Sequence, residues 1–319
     1  MVDASISVVV PVYRSEKSLD ELVARLCAVL DARGVRFEVI LVDDGSPDDS
    51  WAVITKLAEA DPRVRGLALG RNYGQHNACL AGIRQARFDV VVTLDDDLQH
   101  PPEQIPTLLD ALQPDIDLVY GYPEAENHGF GRNILSRATK LSLGASIKSD
   151  IAKHVSAFRA FRTSLRDGVA DVQDPFFSLD VLLSWTTTRM VAVPVPVEER
   201  RYDRSNYSAI GLVRIALNLV TGFSTLPLRI VTLLGVGLAL LGGAILAVVL
   251  GSYAFSGGKS VPGFPFLASM IAILSGAQLL ALGVIGEYLG RVHYRSMHRP
   301  QYTIRSTTAT SPEPDLPDE

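Results

Sequence analysis

Runs of apolar residues separated by polar turns divide the first 120 residues into short strands and helices. Ser5 to Tyr13 is β-branched and apolar almost throughout, as a strand buried on both faces should be. Leu19 to Leu30 instead spaces Leu22, Leu26, Val29 and Leu30 at a helical period. Gly34 closes that helix before the apolar run Phe37 to Val42 begins a second strand. The pattern continues with a helix at Ser50 to Glu59, a strand at Val64 to Leu69, a helix at Gln75 to Gln85 and a strand at Asp89 to Leu94. A helix at Pro102 to Leu112 and a strand at Ile116 to Tyr120 follow. Such alternation predicts an α/β domain, with a mostly parallel sheet and right-handed crossovers. Farther on, Phe176 to Trp185 reads as an apolar helix. Met190 to Val197 carries Pro194 and Pro196, which suits an edge strand.

The last third changes character. Ser208 to Leu226 places Leu212, Ile215, Ala216, Leu219, Val220 and Phe223 along one helical side, the pattern of a helix lying in a membrane interface, and Pro227 ends it. Ile230 to Ser252 and Phe264 to Gly286 are uncharged and long enough to cross a bilayer as a two-helix hairpin. Arg229 precedes the first, and Arg291, Arg295 and Arg299 follow the second. The loop between them offers only Lys259, so both outer flanks are expected on the cytoplasmic side. Glu287 and Arg291 stand four apart, where pairing limits the cost of a carboxylate at the membrane edge. Glycines such as Gly286 and Gly290 permit close helix contacts and homo-oligomers. Ser306 to Glu319, rich in Ser, Thr, Pro and acid, is expected to be disordered.

Composition adds exclusions. The chain has 319 residues, of which 47% are hydrophobic, and a mean hydropathy of +0.20: room for a catalytic domain of roughly 200 residues and a greasier part. Net charge is -5, and there is no basic block to neutralise nucleic-acid phosphates, so nucleic acid is not an expected partner. Cys27 and Cys79 fit neither a disulfide framework nor a metal site and read as small apolar residues in a reducing compartment. The N-terminal apolar run, broken by Pro11, reads as a first strand and not as a secretory signal.

The chemistry-bearing residues gather where predicted strands end. The first strand runs into Tyr13 to Glu16, the second into Asp43 to Ser50, the third into Arg71 to His76 and the fourth into Leu94-Asp95-Asp96-Asp97-Leu98-Gln99. Ligands of open α/β sheets bind at such ends. Three adjacent carboxylates repel one another unless a cation or donor-rich ligand sits among them, and hard oxygens suit Mg²⁺ or Mn²⁺. The alternative is a solvated acidic turn before the helix that starts at Pro101-Pro102-Glu103. No Gly-x-Gly-x-x-Gly follows the first strand and no P-loop occurs, so a nucleotide would be held by other means.

The segments VVVPVYRSE, VDDGSPDDS, GRNYGQHNACLAGI and TLDDDLQHPPEQIP, in that order, resemble the motifs of family 2 glycosyltransferases with the Rossmann-like GT-A fold, and among them the polyprenyl-phosphate glycosyltransferases. The resemblance extends over nearly the whole chain. It implies nucleotide contacts at Pro11, Tyr13, Glu16, Asp43, Asp44, Arg71, Asp95 and Asp96, with Asp96 at the variable position of an Asp-x-Asp-x-Gln pattern. It implies metal ligation by Asp95, Asp97 and Gln99, with Asp97 central to catalysis. Arg14 stands where relatives have Asn and is not carried over. Arg200 and Ser205 match a loop that in relatives orders over the donor and the lipid phosphate, with Asn206 in place of its lysine; Arg200, Arg201 and Arg204 can still oppose the acceptor phosphate there, and Arg200 is also counted as catalytic. Upstream, Pro123 and Glu124 stand near the place where relatives carry an arginine, which leaves Arg132 as the best matched cation. Asp150 is the nearest carboxylate to the one assigned as a base in relatives, although ungapped alignment puts Lys153 there. A polyprenyl phosphate, with its second pKa near 6, is already an anionic nucleophile and needs positioning more than deprotonation.

The resemblance thus implies an inverting, metal-dependent transfer of sugar from a nucleotide-diphosphate sugar to polyprenyl (undecaprenyl or decaprenyl) phosphate for cell-envelope glycosylation. The enzyme is expected to be a multi-pass protein of the inner or plasma membrane, a homo-oligomer and, as in relatives, a tetramer. The expected organisation is a cytoplasmic catalytic domain over residues 1–207, an interfacial helix over 208–227, two transmembrane helices over 228–290, and a basic flank with a disordered acidic tail over 291–319. A processive polysaccharide synthase is the enzymatic alternative, but the chain lacks its Gln-x-x-Arg-Trp motif and further spans. A non-catalytic sugar-nucleotide-binding membrane scaffold is the other, and the intact acidic motif with Gln99 argues against it.

Overall fold

The computed structural model describes residues 4–123, 151, 154–170, 178–198, 226–255, 263–297 and 300–308. Two compact units emerge, one of Met1–Val213 with Arg299–Glu319 and the other of Arg214–His298. In the first, β1 (Ile6–Val12), α1 (Leu19–Arg33), β2 (Phe37–Asp43), α2 (Ser50–Ala60), β3 (Val64–Leu69), α3 (Gln75–Gln85) and β4 (Val90–Thr93) alternate as the apolar pattern predicts. They lead into α4 (Ile105–Ala111), β5 (Leu118–Pro123), β6 (Arg159–Arg162), α5 (Ser164–Ala170), α6 (Leu179–Thr186) and β7 (Met190–Val195). The chain later returns with β8 (Ile304–Thr307).

These strands form an eight-stranded sheet in the order β7-β5-β6-β4-β1-β2-β3-β8. β4, β1, β2 and β3 run parallel. β6 is antiparallel to both β4 and β5, and β8 is antiparallel to β3. The central strands are buried along their whole length, as helices on both faces require. Gly34 ends α1 in the left-handed conformation (φ 69°), with its N–H donating to the Asp31 carbonyl. Buried polar groups at the amino end of the sheet are internally satisfied: Ser7 Oγ donates to Glu38 at 2.8 Å and Arg65 to the same carboxylate at 2.6 Å.

Three elements differ from expectation. The helix expected from Pro102 starts as a 3₁₀ turn, Pro102–Gln104, before α4. Pro106 has no N–H to bond Pro102, so the α-helical ladder cannot run through that turn. β5 lies later than expected because Ile116 N–H is taken by the Gln113 carbonyl in a turn, while pairing with β7 runs on to Pro123 opposite Val195. The tail expected to be disordered from Ser306 instead contributes that residue and Thr307 to β8 on the outer edge of β3. Backbone groups make that pairing, so a composition poor in apolar residues does not oppose it. β7, with its two prolines, is an edge strand as predicted.

The second unit consists of α7 (Leu226–Phe255, 30 residues) and α8 (Phe264–Ser296, 33 residues), which pack against each other. Among the described residues no helix is long and apolar enough to cross a membrane. The side chains of α7 and α8 are described at only some positions. The complete sequence of α7 carries Arg229 as its one charge, and that of α8 is uncharged until Glu287. Described apolar side chains such as Leu233, Leu240, Leu279 and Leu289 are exposed.

Candidate active site

Strand order reverses around β1, with β2 and β3 on one side and β4 on the other. The carboxyl ends of β1 and β4 therefore flank the topological switch point, where open sheets form a crevice. Tyr13 to Glu16 leaves β1 there, and the acidic motif leaves β4. Both loops hold a non-glycine residue in the left-handed region, Arg14 and Leu98, each at φ 59°. Such strain collects at functional sites, where the surroundings enforce it. At Leu98 the enforcing contact is burial of the side chain, which is 1% exposed. The turn this creates lets the Asp97 carboxylate accept from Gln99 N–H at 3.1 Å.

The three carboxylates of the motif diverge in role. Asp96 reaches back across the switch point, accepting from Tyr13 N–H at 3.0 Å and from the Ser15 hydroxyl. Burial pushes its carboxyl up to about 6, against those two hydrogen bonds, with the Asp97 charge adding to the rise. Asp95 accepts from the side-chain amide of Gln75, at the start of α3. Among the described residues no three His, Cys, Asp or Glu side chains gather as a metal-binding group. The Gln99 carbonyl accepts from Glu198 N–H at 2.9 Å, which brings the end of the β7 segment to the motif.

The loops after β2 and β3 join the same rim. Asp43 accepts from Ser46 N–H at 3.1 Å and so closes its own turn. Asp44 accepts from the N–H groups of Tyr73 at 2.7 Å and Gly74 at 2.8 Å. Burial, opposed by those bonds and aided by the Asp43 charge, pushes Asp44 up to about 6. Gly45 (φ 66°) must be glycine twice over, because a Cβ there would also lie 2.6 Å from the Arg71 carbonyl carbon. Glu16 spans the loops after β1 and β2, accepting from Asp49 N–H at 3.2 Å. Arg71 lies over the Tyr73 ring at 4.8 Å, and Arg14 over the Tyr13 ring at 5.4 Å. Tyr13 is 42% exposed, which leaves area for a planar ligand. Pro11 is buried within β1, opposite Val42.

Four carboxyl-end loops are thus tied to one another, and Tyr13, Glu16, Asp43, Asp44, Arg71, Asp95, Asp96, Asp97 and Gln99 all belong to them. Asp150, Arg132, Arg200, Arg201, Arg204 and Ser205 lie outside the described residues, as do Lys153 and the expected interfacial helix before Leu226. Sequence reasoning missed the buried pair beneath the motif. Arg159, 2% exposed, pairs with Asp180 of α6 and donates from Nε to the Thr93 hydroxyl at 2.9 Å. Thr93, Arg159 and Tyr120 face one another across β4, β6 and β5 by register, so they share one face of the sheet. The available signal was a lone cation in Ala157-Phe158-Arg159-Ala160-Phe161 and a lone acid in the apolar run around Asp180, residue types rarely buried unless paired.

The sequence profile of Glycosyl transferase family 2 matches residues 7–169. An undecaprenyl-phosphate 4-deoxy-4-formamido-L-arabinose transferase of Sodalis glossinidius (strain morsitans) is 33% identical over 309 residues, covering 96% of this chain and 95% of that protein. The protein of the same name from Pseudomonas paraeruginosa (strain DSM 24068 / PA7) is 36% identical over 310 residues, covering 96% and 91%. Two crystal structures share the fold. Mannosyl-3-phosphoglycerate synthase from Rubrobacter xylanophilus has a TM-score of 0.50 at 15% identity, over 68% of this chain and 72% of that one. A mycobacterial protein scores 0.52 at 19% identity, over 69% and 75%. With its reversed-order parallel sheet, acidic motif at the switch point and likeness along almost its entire length, this chain belongs to glycosyltransferase family 2.

Proposed function

We propose that this enzyme transfers a sugar from a nucleoside-diphosphate sugar to polyprenyl phosphate at the cytoplasmic face of a membrane, with inversion at the anomeric carbon. The observation that carries this reading is the convergence of the acidic motif and the Tyr13 loop at the switch point. The names of the transferases similar along 96% of the chain support the acceptor class.

In this reading Tyr13 offers its exposed ring to the base, while Glu16, Asp43 and Asp44 shape the rim that receives base and ribose. Arg71 opposes the charge of the diphosphate. Asp95, Asp97 and Gln99 supply hard oxygens, a donor set that suits Mg²⁺ or Mn²⁺ held jointly with diphosphate oxygens. An ion bound there would supply charge neutralisation and orientation for the departing nucleoside diphosphate. Arg132, Arg200, Arg201, Arg204 and Ser205 balance the acceptor phosphate. One of its oxygens forms a bond to the anomeric carbon as the bond from that carbon to the diphosphate breaks, the electron pair leaving with the nucleoside diphosphate. The nucleophile is anionic at neutral pH, so Asp150 positions and is not required as a base.

The domain organisation proposed from sequence follows: a catalytic domain over 1–207, an interfacial helix over 208–227 and a transmembrane hairpin over 228–290, in an inner or plasma membrane and as a homo-oligomer. The earlier expectation for the end is amended, since residues 304–307 form β8. The test is incubation of the purified enzyme with labelled sugar nucleotides, polyprenyl phosphate and Mg²⁺ or Mn²⁺. A lipid-linked sugar with one donor is expected. No lipid-linked product with any donor would overturn the assignment.

A further inference from the structure

Tyr73 is fastened at each of its functional groups. Its N–H donates to Asp44 at 2.7 Å, and its carbonyl accepts from the Asn77 amide at 2.8 Å. Its ring lies under the Arg71 guanidinium at 4.8 Å. Its hydroxyl meets the Thr303 hydroxyl at 3.0 Å, 230 residues later in the chain. Thr303 also accepts from Gly70 N–H through its carbonyl, at 2.8 Å. The neighbouring residues anchor the same segment: Arg84 of α3 donates to Gln301 at 3.0 Å and to the Tyr302 hydroxyl at 3.2 Å. Farther on, Gly66 N–H donates to the Thr308 hydroxyl at 2.8 Å, and Thr308 N–H to the Gly66 carbonyl at 3.0 Å. The segment 301–308 is thus a strap sewn along β3 and over the loop that follows it.

A sheet edge can be covered by any strand, but the Tyr73 hydroxyl bond is not part of the ladder. It fixes the ring on which the Arg71 guanidinium rests, and an arginine on an exposed loop otherwise samples many rotamers. We infer that Thr303, acting through Tyr73, is a positioning residue that holds Arg71 for the donor diphosphate, so that the strap beyond the helical unit forms part of the nucleotide site. The inference rests on the diphosphate role proposed for Arg71.

Inorganic pyrophosphate with Mg²⁺ probes the diphosphate subsite whatever the base or sugar. Its affinity is measured by calorimetry on the full-length enzyme in detergent, for wild type, Arg71→Met, Tyr73→Phe, Thr303→Val and Thr303→Ser. Losing one hydrogen bond of this kind should weaken binding about threefold to tenfold in Tyr73→Phe and in Thr303→Val. Thr303→Ser, which keeps the hydroxyl, should retain wild-type affinity. Tyr73→Phe added to Arg71→Met should cost nothing further, because its effect runs through Arg71. Thermal melting separates a loosened loop from a damaged fold: unchanged melting with weakened binding supports the inference. Wild-type affinity in both Tyr73→Phe and Thr303→Val, alongside a weakened Arg71→Met, would overturn the strap and leave the role of Arg71 standing. If Arg71→Met itself binds as wild type, or wild type does not bind pyrophosphate at all, the diphosphate reading beneath the inference fails.

Discussion

A carboxylate that holds two hydrogen bonds from its own protein is committed to one orientation, while its roughly four acceptor positions still leave room for a ligand. Asp96 is so committed, to Tyr13 N–H and the Ser15 hydroxyl, as is Asp44, to Tyr73 and Gly74 N–H. Asp95 accepts from the Gln75 amide and Asp97 from Gln99 N–H, and both belong to the Asp-x-Asp-x-Gln pattern proposed to hold the metal. Replacing Asp97 with Ala should therefore abolish transfer in a donor-turnover assay, while Asp150→Asn should reduce it only modestly. Equal, near-complete losses would make Asp150 a true base. The same burial has a pH signature. Asp44 rises from 3.8 to about 6, so the folded protein holds that proton more readily than the unfolded chain. The stability this contributes is whole below 3.8 and is lost as pH rises through about 6. Burial lowers His100, whose effect on stability has the opposite sign, so the signature is read as a difference. The margin of wild type over Asp44→Asn in chemical denaturation should shrink across that window, and a margin that grows would contradict the assigned direction. The triplet and its spacing were legible in sequence. That Asp96 faces back toward β1 was not, because the left-handed turn at Leu98 that aims Asp97 and Gln99 is imposed by packing and carries no glycine to announce it.

Elements with a strong apolar period were legible almost to the residue. β3 and α3 occupy the predicted spans, because a short apolar run and helical spacing between turn residues report burial directly. α3 also shows how tightly those elements meet. A Cβ on Gly82 would lie 2.4 Å from Val9 Cγ1 and 3.0 Å from Val42 Cγ2, on strands whose β-branched side chains have little rotamer freedom. Gly82→Ala should cost about 1–3 kcal/mol by overpacking, read as a lowered denaturation midpoint at unchanged slope. A neutral result would mean that α3 can lift from β1 and β2 without cost. What sequence could not show is sheet order. Neither the antiparallel entry of β6 between β4 and β5 nor the return of β8 to β3 leaves a periodic trace in so short a strand.

At the scale of the molecule, connectivity constrains the membrane hairpin proposed above. The chain leaves the sheet-bearing unit before Arg214 and rejoins it after His298, where β8 pairs with β3. Both ends of the helical unit therefore belong to one folded domain, and the number of bilayer crossings between them must be even. The proposed hairpin of α7 and α8, helices of 30 and 33 residues, would meet that condition. The charges agree, with arginines on the outer flanks and Lys259 alone between. A cysteine placed at Lys259 should react with a membrane-impermeant maleimide on intact cells, whereas one placed at Arg305 should react only after lysis. Labelling of both from outside would refute the hairpin. The return of β8 also sets an order of events during synthesis. Until the ribosome has passed Thr307, β3 is the outermost strand and presents open backbone groups, an edge to which other chains can add. The catalytic sheet is thus completed only after both apolar helices have been made, and a chain that stalls or is cut within them is left with an unsealed, aggregation-prone edge.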